Sequence, residues 1–279
     1  MRGRLLALIA AALVVAAVVA LVVVGGPLGS SDTRGAEVLD LEIDSAAVER
    51  RQPVSVLVPE GAKDAGRPLL VLLHGRGGDE SSFLTQPFYD AVAALGDRAP
   101  VIAFPDGGDS SYWHDRETGG WGSYVIDEVI PEAIEVAGAD PGRVAIGGVS
   151  MGGFGAFDLA RLNPGSFCAA GGHSPALWVN GGESAPGAFD DAEDFAGHDL
   201  VAAAGSDPGG LSGPKLWLDT GDADPFVPGD DAFLAAAGQS GLEVSHHRAP
   251  GGHDRDYWDP RWERYLRFYT RALARCGTA

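Results

Sequence analysis

The pentapeptide Gly148-Val149-Ser150-Met151-Gly152 places a serine between two glycines. This Gly-x-Ser-x-Gly spacing is typical of a nucleophilic serine held at a sharp turn between a strand and a helix. Such a hydroxyl attacks an ester carbonyl when a neighbouring base takes its proton. The chain contains 41 glycines, so the pattern alone is weak evidence. The flanking elements must decide whether Ser150 is a nucleophile.

Those flanking elements have the required order. The segment RVAIGGVS (143–150) predicts a strand that ends at Ser150, and MGGFGAFDLARL (151–162) predicts a helix that begins directly after it. Gly148 and Gly152 allow the chain to pack closely on either side of the turn. The helix N-terminus also favours negative charge that develops beside the serine. We therefore interpret Ser150 as a nucleophile.

A second glycine-rich motif, LLHGRGG (72–78), follows the third predicted strand. A loop of this kind aims a backbone N–H at the oxyanion of an acyl-transfer reaction, and the residue after the serine supplies the second donor. The predicted oxyanion donors are the backbone N–H groups of Arg76 and Met151, with Gly77 as the alternative to Arg76. We interpret His74 as a structural residue of the loop.

The acid and the base should follow the serine along the chain, each at the end of a strand. DTGDADPF (219–226) comes after an apolar strand and offers three carboxylates. Asp219 precedes the turn and is interpreted as structural. Asp224 is the predicted acid because it lies deeper in the loop, and Asp222 remains the alternative. His253, on the loop PGGHDRDYW after the last predicted strand, is the predicted base.

The remaining histidines are interpreted as structural. His246 and His247 lie inside a predicted strand, whereas His114, His173 and His198 precede the acid or lie in irregular segments. For His173 a position in the pocket is the alternative, but a satisfied polar contact is favoured.

The elements that must position these residues form a regular alternation. Apolar runs bounded by turn residues alternate with segments of helical period along the chain. This alternation predicts the α/β class, with a mostly parallel sheet covered by helices on both faces. Ligands bind beyond the carboxyl ends of the strands in such sheets, where the three predicted catalytic side chains are expected.

Together these motifs resemble the esterase D group of α/β-hydrolases, which includes S-formylglutathione hydrolases, mycobacterial mycolyltransferases and several feruloyl or acetyl-xylan esterases. The resemblance extends from about Val54 to Tyr269 and depends on LLHGRGG, FPDGG followed by Trp113 and Trp121, SYVIDEVIPEAIE, GGVSMGGFGAF, DTGDADPF and PGGHDRDYW. It implies an α/β-hydrolase fold, a triad of Ser150, Asp224 and His253, and catalysis with no metal and no cofactor.

The aromatic residues after FPDGG are candidates for substrate binding. Trp113 and Trp121, with Tyr112, are expected to form an apolar or sugar-stacking wall. Ordinary packing of these rings is the alternative.

The N-terminal segment predicts export. Arg2 and Arg4 precede an apolar run from Leu5 to Val24, which as a helix spans roughly 30 Å, the thickness of the hydrocarbon core of a bilayer. The length of the run favours a retained anchor over a cleaved signal peptide, which remains the alternative. Residues 1–35 are thus expected to be an anchor or signal peptide with a linker, and 36–279 an extracytoplasmic α/β-hydrolase catalytic domain.

Charge and cysteine content add limits. The formal net charge of −19, with no basic stripe apparent in the folded part, argues against a nucleic-acid partner. Cys168 and Cys276 pair in an oxidising compartment or stay as two unpaired small residues, and neither has the spacing of a metal site.

The sequence thus predicts an exported serine esterase that acts on carboxylic or thio esters, with glycan or lipid esters among the substrates. An acyltransferase of the mycolyltransferase type and a non-catalytic binding module on the same fold are the alternatives.

Overall fold

The computed structural model describes residues 31–276. The strands of this part are β1 (Glu37–Ser45), β2 (Arg50–Val58), β3 (Pro68–Leu73), β4 (Val101–Pro105), β5 (Asp115–Arg116), β6 (Gly119–Gly120), β7 (Asp140–Val149), β8 (Ala169–His173), β9 (Lys215–Gly221) and β10 (Val244–Ala249). Eight of them form one sheet in the order β1-β2-β4-β3-β7-β8-β9-β10. The pairs β1–β2 and β2–β4 are antiparallel, and the other pairs of this sheet are parallel. The predicted mostly parallel sheet is confirmed.

Helices connect the strands and cover the sheet. They are α1 (Gln86–Ala93), α2 (Trp121–Ser123), α3 (Ile130–Ala137), α4 (Met151–Leu162), α5 (Ala192–Gly197), α6 (Leu200–Ser206), α7 (Val227–Ser240), α8 (Arg255–Trp258) and α9 (Trp262–Leu273). A π-helical segment, Tyr124–Val129, joins α2 to α3, so the chain is helical without a break from residue 121 to residue 137.

The side chains of β3 show why both faces of the sheet are covered. Leu69, Val71 and Leu73 point to one face and pack with residues of α3, α4 and α7. Leu70 and Leu72 point to the other face and pack with α1 and α9. Because every one of these side chains is buried, a continuous apolar run is what the strand requires.

The sequence predicts no counterpart for the short helices α5, α6 and α8 or for the β5–β6 hairpin. α5 and α6 have six and seven residues, too few to establish a helical period in the sequence. Their capping residues are a usable signal: Asp191 accepts from the N–H groups of Glu193 and Asp194, and Asp199 accepts from that of Ala202.

The two cysteines form a disulfide, which selects one of the two alternatives left open by the sequence. Cys168 immediately precedes β8, and Cys276 lies just beyond α9. The bond therefore links the middle of the sheet to the end of the last helix.

The expectation that the folded part has no basic stripe is wrong. Arg264, Arg267 and Arg271 lie on one face of α9 and, with Lys215 and Arg275, line a cavity of about 850 Å³ against β9. The arginines recur every three or four residues with aromatic residues between them, so they form a stripe only after the helix has formed. None of the predicted catalytic residues lines this cavity.

The predicted apolar segment, residues 5–24, lies outside the described residues. Within residues 31–276, no helix combines the length and hydropathy needed to cross a bilayer.

Candidate active site

Ser150 occupies a strained turn between β7 and α4. Its backbone has φ 55° and ψ −118°, a conformation that non-glycine residues rarely adopt. A Cβ on Gly152 would lie 1.9 Å from the carbonyl oxygen of Leu73, and a Cβ on Gly148 would lie 2.5 Å from the same oxygen. Both flanking positions therefore need glycine, and the turn holds the serine above the end of the strand.

His253 lies next to this serine. Its loop follows β10, and its Nε2 is 2.8 Å from Ser150 Oγ, so the hydroxyl donates to the ring in one tautomer. The ring packs between Phe226 and Trp258, with centroid distances of 5.0 and 5.1 Å. Its side chain is 22% exposed, which leaves it open to a ligand.

Asp224 holds the other side of the imidazole. Its Oδ2 accepts from His253 Nδ1 at 2.8 Å, and its Oδ1 accepts from the backbone N–H of Phe226 at 2.9 Å. The alternative acid, Asp222, is exposed and instead accepts from the N–H of Gly251 at 3.2 Å. Of the two candidates, the structure thus brings only Asp224 to the imidazole.

The candidate oxyanion donors come from two chain segments. The N–H of Gly77 is occupied, because it donates to the carbonyl of Asp109 at 2.9 Å. The N–H of Arg76 donates to no acceptor among the described residues. Met151 is the first residue of α4, where a helix has no acceptor of its own for the N–H group. These two amides are therefore available to a ligand.

His74 and the two tryptophans that were predicted to bind substrate are all buried. His74 Nε2 accepts from the N–H of Gly107 at 2.9 Å, and the indole N–H of Trp113 donates to the carbonyl of His74 at 3.2 Å. Trp113 packs directly on Gly107 and Gly155, and Trp121 is 4% exposed. Neither tryptophan lines the cavity beside Ser150, because both rings are used in packing.

A cavity of about 410 Å³ opens beside Ser150. Its aromatic walls are side chains that the sequence analysis missed: Phe83, Trp258 and Trp262. Arg255 also lines it and donates to the carbonyl of Ser82, which joins the two sides of the opening. Trp258 and Trp262 lie within nine residues of His253 in the sequence, so proximity to the predicted base was the available signal.

A second histidine–aspartate pair lies deeper in the same sheet. His173 Nδ1 is 2.8 Å from Asp219 Oδ1, and His173 Nε2 is 2.9 Å from the hydroxyl of Tyr269. Tyr265 also donates to Asp219. Burial raises the pKa of Tyr265 and of Tyr269, so both phenols stay protonated. Every group of this cluster is buried, which agrees with the structural role expected for His173 and Asp219.

Another buried carboxyl lies near Asp224. Asp230, on α7, accepts a hydrogen bond from Thr220 of β9. Burial raises the pKa of Asp230 well above its usual value, and the neighbouring charge of Asp224 acts in the same direction. Asp230 is therefore held in its neutral form more readily than a free aspartate.

Comparisons with known proteins show the family of this chain. A family model described as "Putative esterase" matches residues 45–269. Among curated proteins, Esterase Rv1288 of Mycobacterium tuberculosis (strain ATCC 25618 / H37Rv) is 24% identical over an alignment of 277 residues. The alignment covers 81% of this chain and 60% of that protein. The chain thus spans less than two thirds of the length of this relative.

Solved structures show the same fold. A ferulic acid esterase aligns with a TM-score of 0.76 and 21% identity, covering 85% of this chain and 98% of the other. An S-formylglutathione hydrolase from Agrobacterium tumefaciens aligns with a TM-score of 0.72 and 19% identity, covering 88% and 99%. The predicted α/β-hydrolase fold is confirmed.

Proposed function

The chain belongs to this esterase family, and from that premise we propose that it hydrolyses carboxylic or thio esters with Ser150 as the nucleophile. The observation that carries the proposal is the pair of 2.8 Å contacts from His253, one to Ser150 and one to Asp224. This arrangement meets the geometric requirement for a nucleophile, a base and an orienting acid.

In the proposed reaction, His253 takes the proton of Ser150 while the serine oxygen attacks the ester carbonyl. Asp224 accepts from Nδ1–H and stabilises the imidazolium that forms. His253 then protonates the leaving alcohol or thiol, and an acyl-enzyme remains. Water activated by the same imidazole attacks the acyl-enzyme, which releases the acid and restores the serine.

The N–H groups of Arg76 and Met151 stabilise the oxyanion of each tetrahedral intermediate. Each such donor contributes about 3 kcal/mol to transition-state stabilisation. Support comes from the unpaired state of both amides and from the position of Met151 at the start of α4, whose dipole favours negative charge.

The cavity beside Ser150 favours a substrate with an apolar or aromatic group. Phe83, Trp258 and Trp262 offer ring faces and edges, and Arg255 offers a charge near the opening. A relative named a ferulic acid esterase is consistent with an aromatic acyl group in such a site.

A fluorophosphonate probe tests the nucleophile directly, because it reacts with an activated serine. We expect the wild-type protein to be labelled once and Ser150→Ala not at all. Ser82→Ala is the matched control, since Ser82 lines the same cavity but has no imidazole partner in the described residues. Labelling of Ser150→Ala at the wild-type rate would contradict the proposal, as would a wild-type protein that does not react.

Hydrolysis of p-nitrophenyl esters of increasing acyl size, repeated with sugar acceptors, separates the three alternatives. Release of free acid supports the esterase. Acyl transfer to the sugar in preference to water would indicate the acyltransferase. Absence of both reactions would leave the non-catalytic binding module.

We also propose that the domain acts outside the cytoplasm. The apolar run from Leu5 to Val24 after two arginines supports this, and so does the disulfide, because such bonds persist in oxidising compartments. The mass of the mature protein is the test: loss of about the first 30 residues indicates a cleaved signal peptide, and full length in the membrane fraction indicates an anchor. Full-length protein in the cytosol would contradict export.

A further inference from the structure

Three side chains of the metal-ligand type meet outside the catalytic site. His114 follows β4 and precedes β5, Asp194 belongs to α5, and His198 comes directly after α5. Each residue offers one ligand atom, and these atoms all lie within 4.8 Å of one another. None of the three lines the cavity beside Ser150.

The distances match the coordination sphere of a small ion. Nε2 of His114 is 3.2 Å from Asp194 Oδ2, and Nε2 of His198 is 3.6 Å from Asp194 Oδ1. Tetrahedral zinc holds nitrogen and oxygen ligands at about 2.0–2.2 Å, which places them about 3.3 Å from each other. The ligand atoms thus require only small movements to surround an ion.

The contacts behind these ligands are those that metal sites use. His198 Nδ1 donates to Asp158 Oδ2 at 2.6 Å, and Asp158 is fully buried and bonded to Arg161. A metal-binding histidine usually donates its second ring N–H to a carboxylate, which fixes the tautomer and orients the free nitrogen. The backbone N–H of Asp190 donates to Asp194 Oδ2 at 2.7 Å and orients that carboxylate in the same way.

His114 is the ligand of the three that lacks such a second contact. Its side chain is 0% exposed, its Nε2 faces Asp194, and its Nδ1, the other ring nitrogen, has no hydrogen-bond partner among the described residues. His173 is equally buried, but both of its ring nitrogens are bonded. The side chains of Asp194 and His198 are 14% and 16% exposed, so an ion can reach the site from solvent.

We propose that His114, Asp194 and His198 bind one divalent transition-metal ion, with Zn²⁺ as the best match for two imidazoles and one carboxylate. Water fills the fourth position. The ion would join the loop after β4 to α5. In this loop His114 contacts Phe154 of α4 directly, and α5 reaches the same ring through Phe189. The role is a structural cross-link, separate from the proposed reaction.

The test uses untagged, chelator-treated full-length protein and Zn²⁺ alone, titrated against a chromogenic chelator. We expect one tight site per chain and a rise in Tm on binding. Asp194→Asn and His198→Gln, at partly exposed positions, should each weaken binding at least about tenfold. His246→Gln is the matched control, because His246 is exposed on β10, and should bind as the wild type does.

Co²⁺ gives a second measurement that needs no variant. Bound in a tetrahedral site, it should produce intense visible ligand-field absorption that Zn²⁺ abolishes. The proposal fails if the wild type binds Zn²⁺ no more tightly than Asp194→Asn and His198→Gln do. It also fails if Co²⁺ gives only the weak spectrum of the hydrated ion.

Discussion

Two histidine–aspartate pairs in this protein have nearly the same geometry and different surroundings. In each pair Nδ1 lies 2.8 Å from the carboxylate, and Nε2 lies 2.8 Å from a serine hydroxyl in one case and 2.9 Å from a tyrosine hydroxyl in the other. His253 is 22% exposed beside a cavity, whereas His173 is 0% exposed in the core. Hydrogen-bond distances therefore do not distinguish the proposed catalytic pair from the buried pair.

The two pairs differ in their access to a ligand and in the hydroxyl group that each imidazole contacts. The Ser150 hydroxyl faces a cavity that a substrate can enter, and the neighbouring amides are free to bind an oxyanion. The hydroxyl of Tyr269 lies where a Cβ on Gly147 or Gly171 would be about 2 Å away, so no ligand fits beside it. Burial also raises the pKa of this phenol, which opposes loss of its proton. The second pair can therefore stabilise the sheet but cannot act on a substrate.

The largest expected effect separates the two carboxylates nearest the base. Asp224→Asn should lower kcat for ester hydrolysis by about 10⁴-fold, because the amide favours the wrong tautomer of His253. Asp222→Asn is the matched control and should stay within about threefold of the wild type, since its side chain is exposed. Steady-state kinetics on one p-nitrophenyl ester measure both. A larger loss in Asp222→Asn than in Asp224→Asn would show that the acid is misassigned.

The same substitution in the second pair should affect stability instead. Asp219→Asn presents an amide to the donors Tyr265, Trp217 and His173, and should lower the free energy of unfolding by about 3–5 kcal/mol. Denaturant titration measures this loss. Activity per folded molecule should be retained. If kcat falls as far as in Asp224→Asn while stability is unchanged, the contrast between the pairs does not hold.

The disulfide should support mainly the buried pair, because it joins the start of β8, which carries His173, to the end of α9, which carries Tyr265 and Tyr269. The double variant Cys168→Ala, Cys276→Ala should have a free energy of unfolding about 2–4 kcal/mol lower than the wild type, since the bond closes a long loop. Thermal unfolding with and without reductant is the measurement. Reductant should lower the Tm of the wild type and leave the Tm of the double variant unchanged. At low temperature the KM of the variant should match that of the wild type.

The smallest effect should come from one hydroxyl. Tyr269→Phe leaves His173 Nε2 buried without a partner and should cost about 1–2 kcal/mol of stability. Fluorophosphonate labelling of Ser150 should proceed at the wild-type rate. Slower labelling at equal folded fraction would mean that the two pairs are coupled through the sheet.

The sequence could predict most of the fold because the signals are local. Most long strands and helices carry their own apolar run or period, and the turn at Ser150 follows from a strand, a serine and a helix that are contiguous in the chain. The short helices α5 and α6 lack such a period, and their aspartate caps were the remaining signal.

The candidate site was predictable only in part. His253 follows from its position after the last strand, but the choice between Asp222 and Asp224 depends on which way a loop side chain turns. Trp113 and Trp121 show the same limit, because an aromatic residue near a catalytic motif packs into the core as readily as into a pocket.

The sequence by itself determined the order of the elements, the strained serine turn and the need for glycine beside it, because these depend on neighbours within a few residues. Only the tertiary structure decided which carboxylate meets each imidazole, which aromatic rings line the cavity, that the two cysteines pair, and that His114 meets Asp194 and His198. Those partners are separated by 29 to 108 residues. Their contacts arise from the packing of whole strands and helices, which no local pattern encodes.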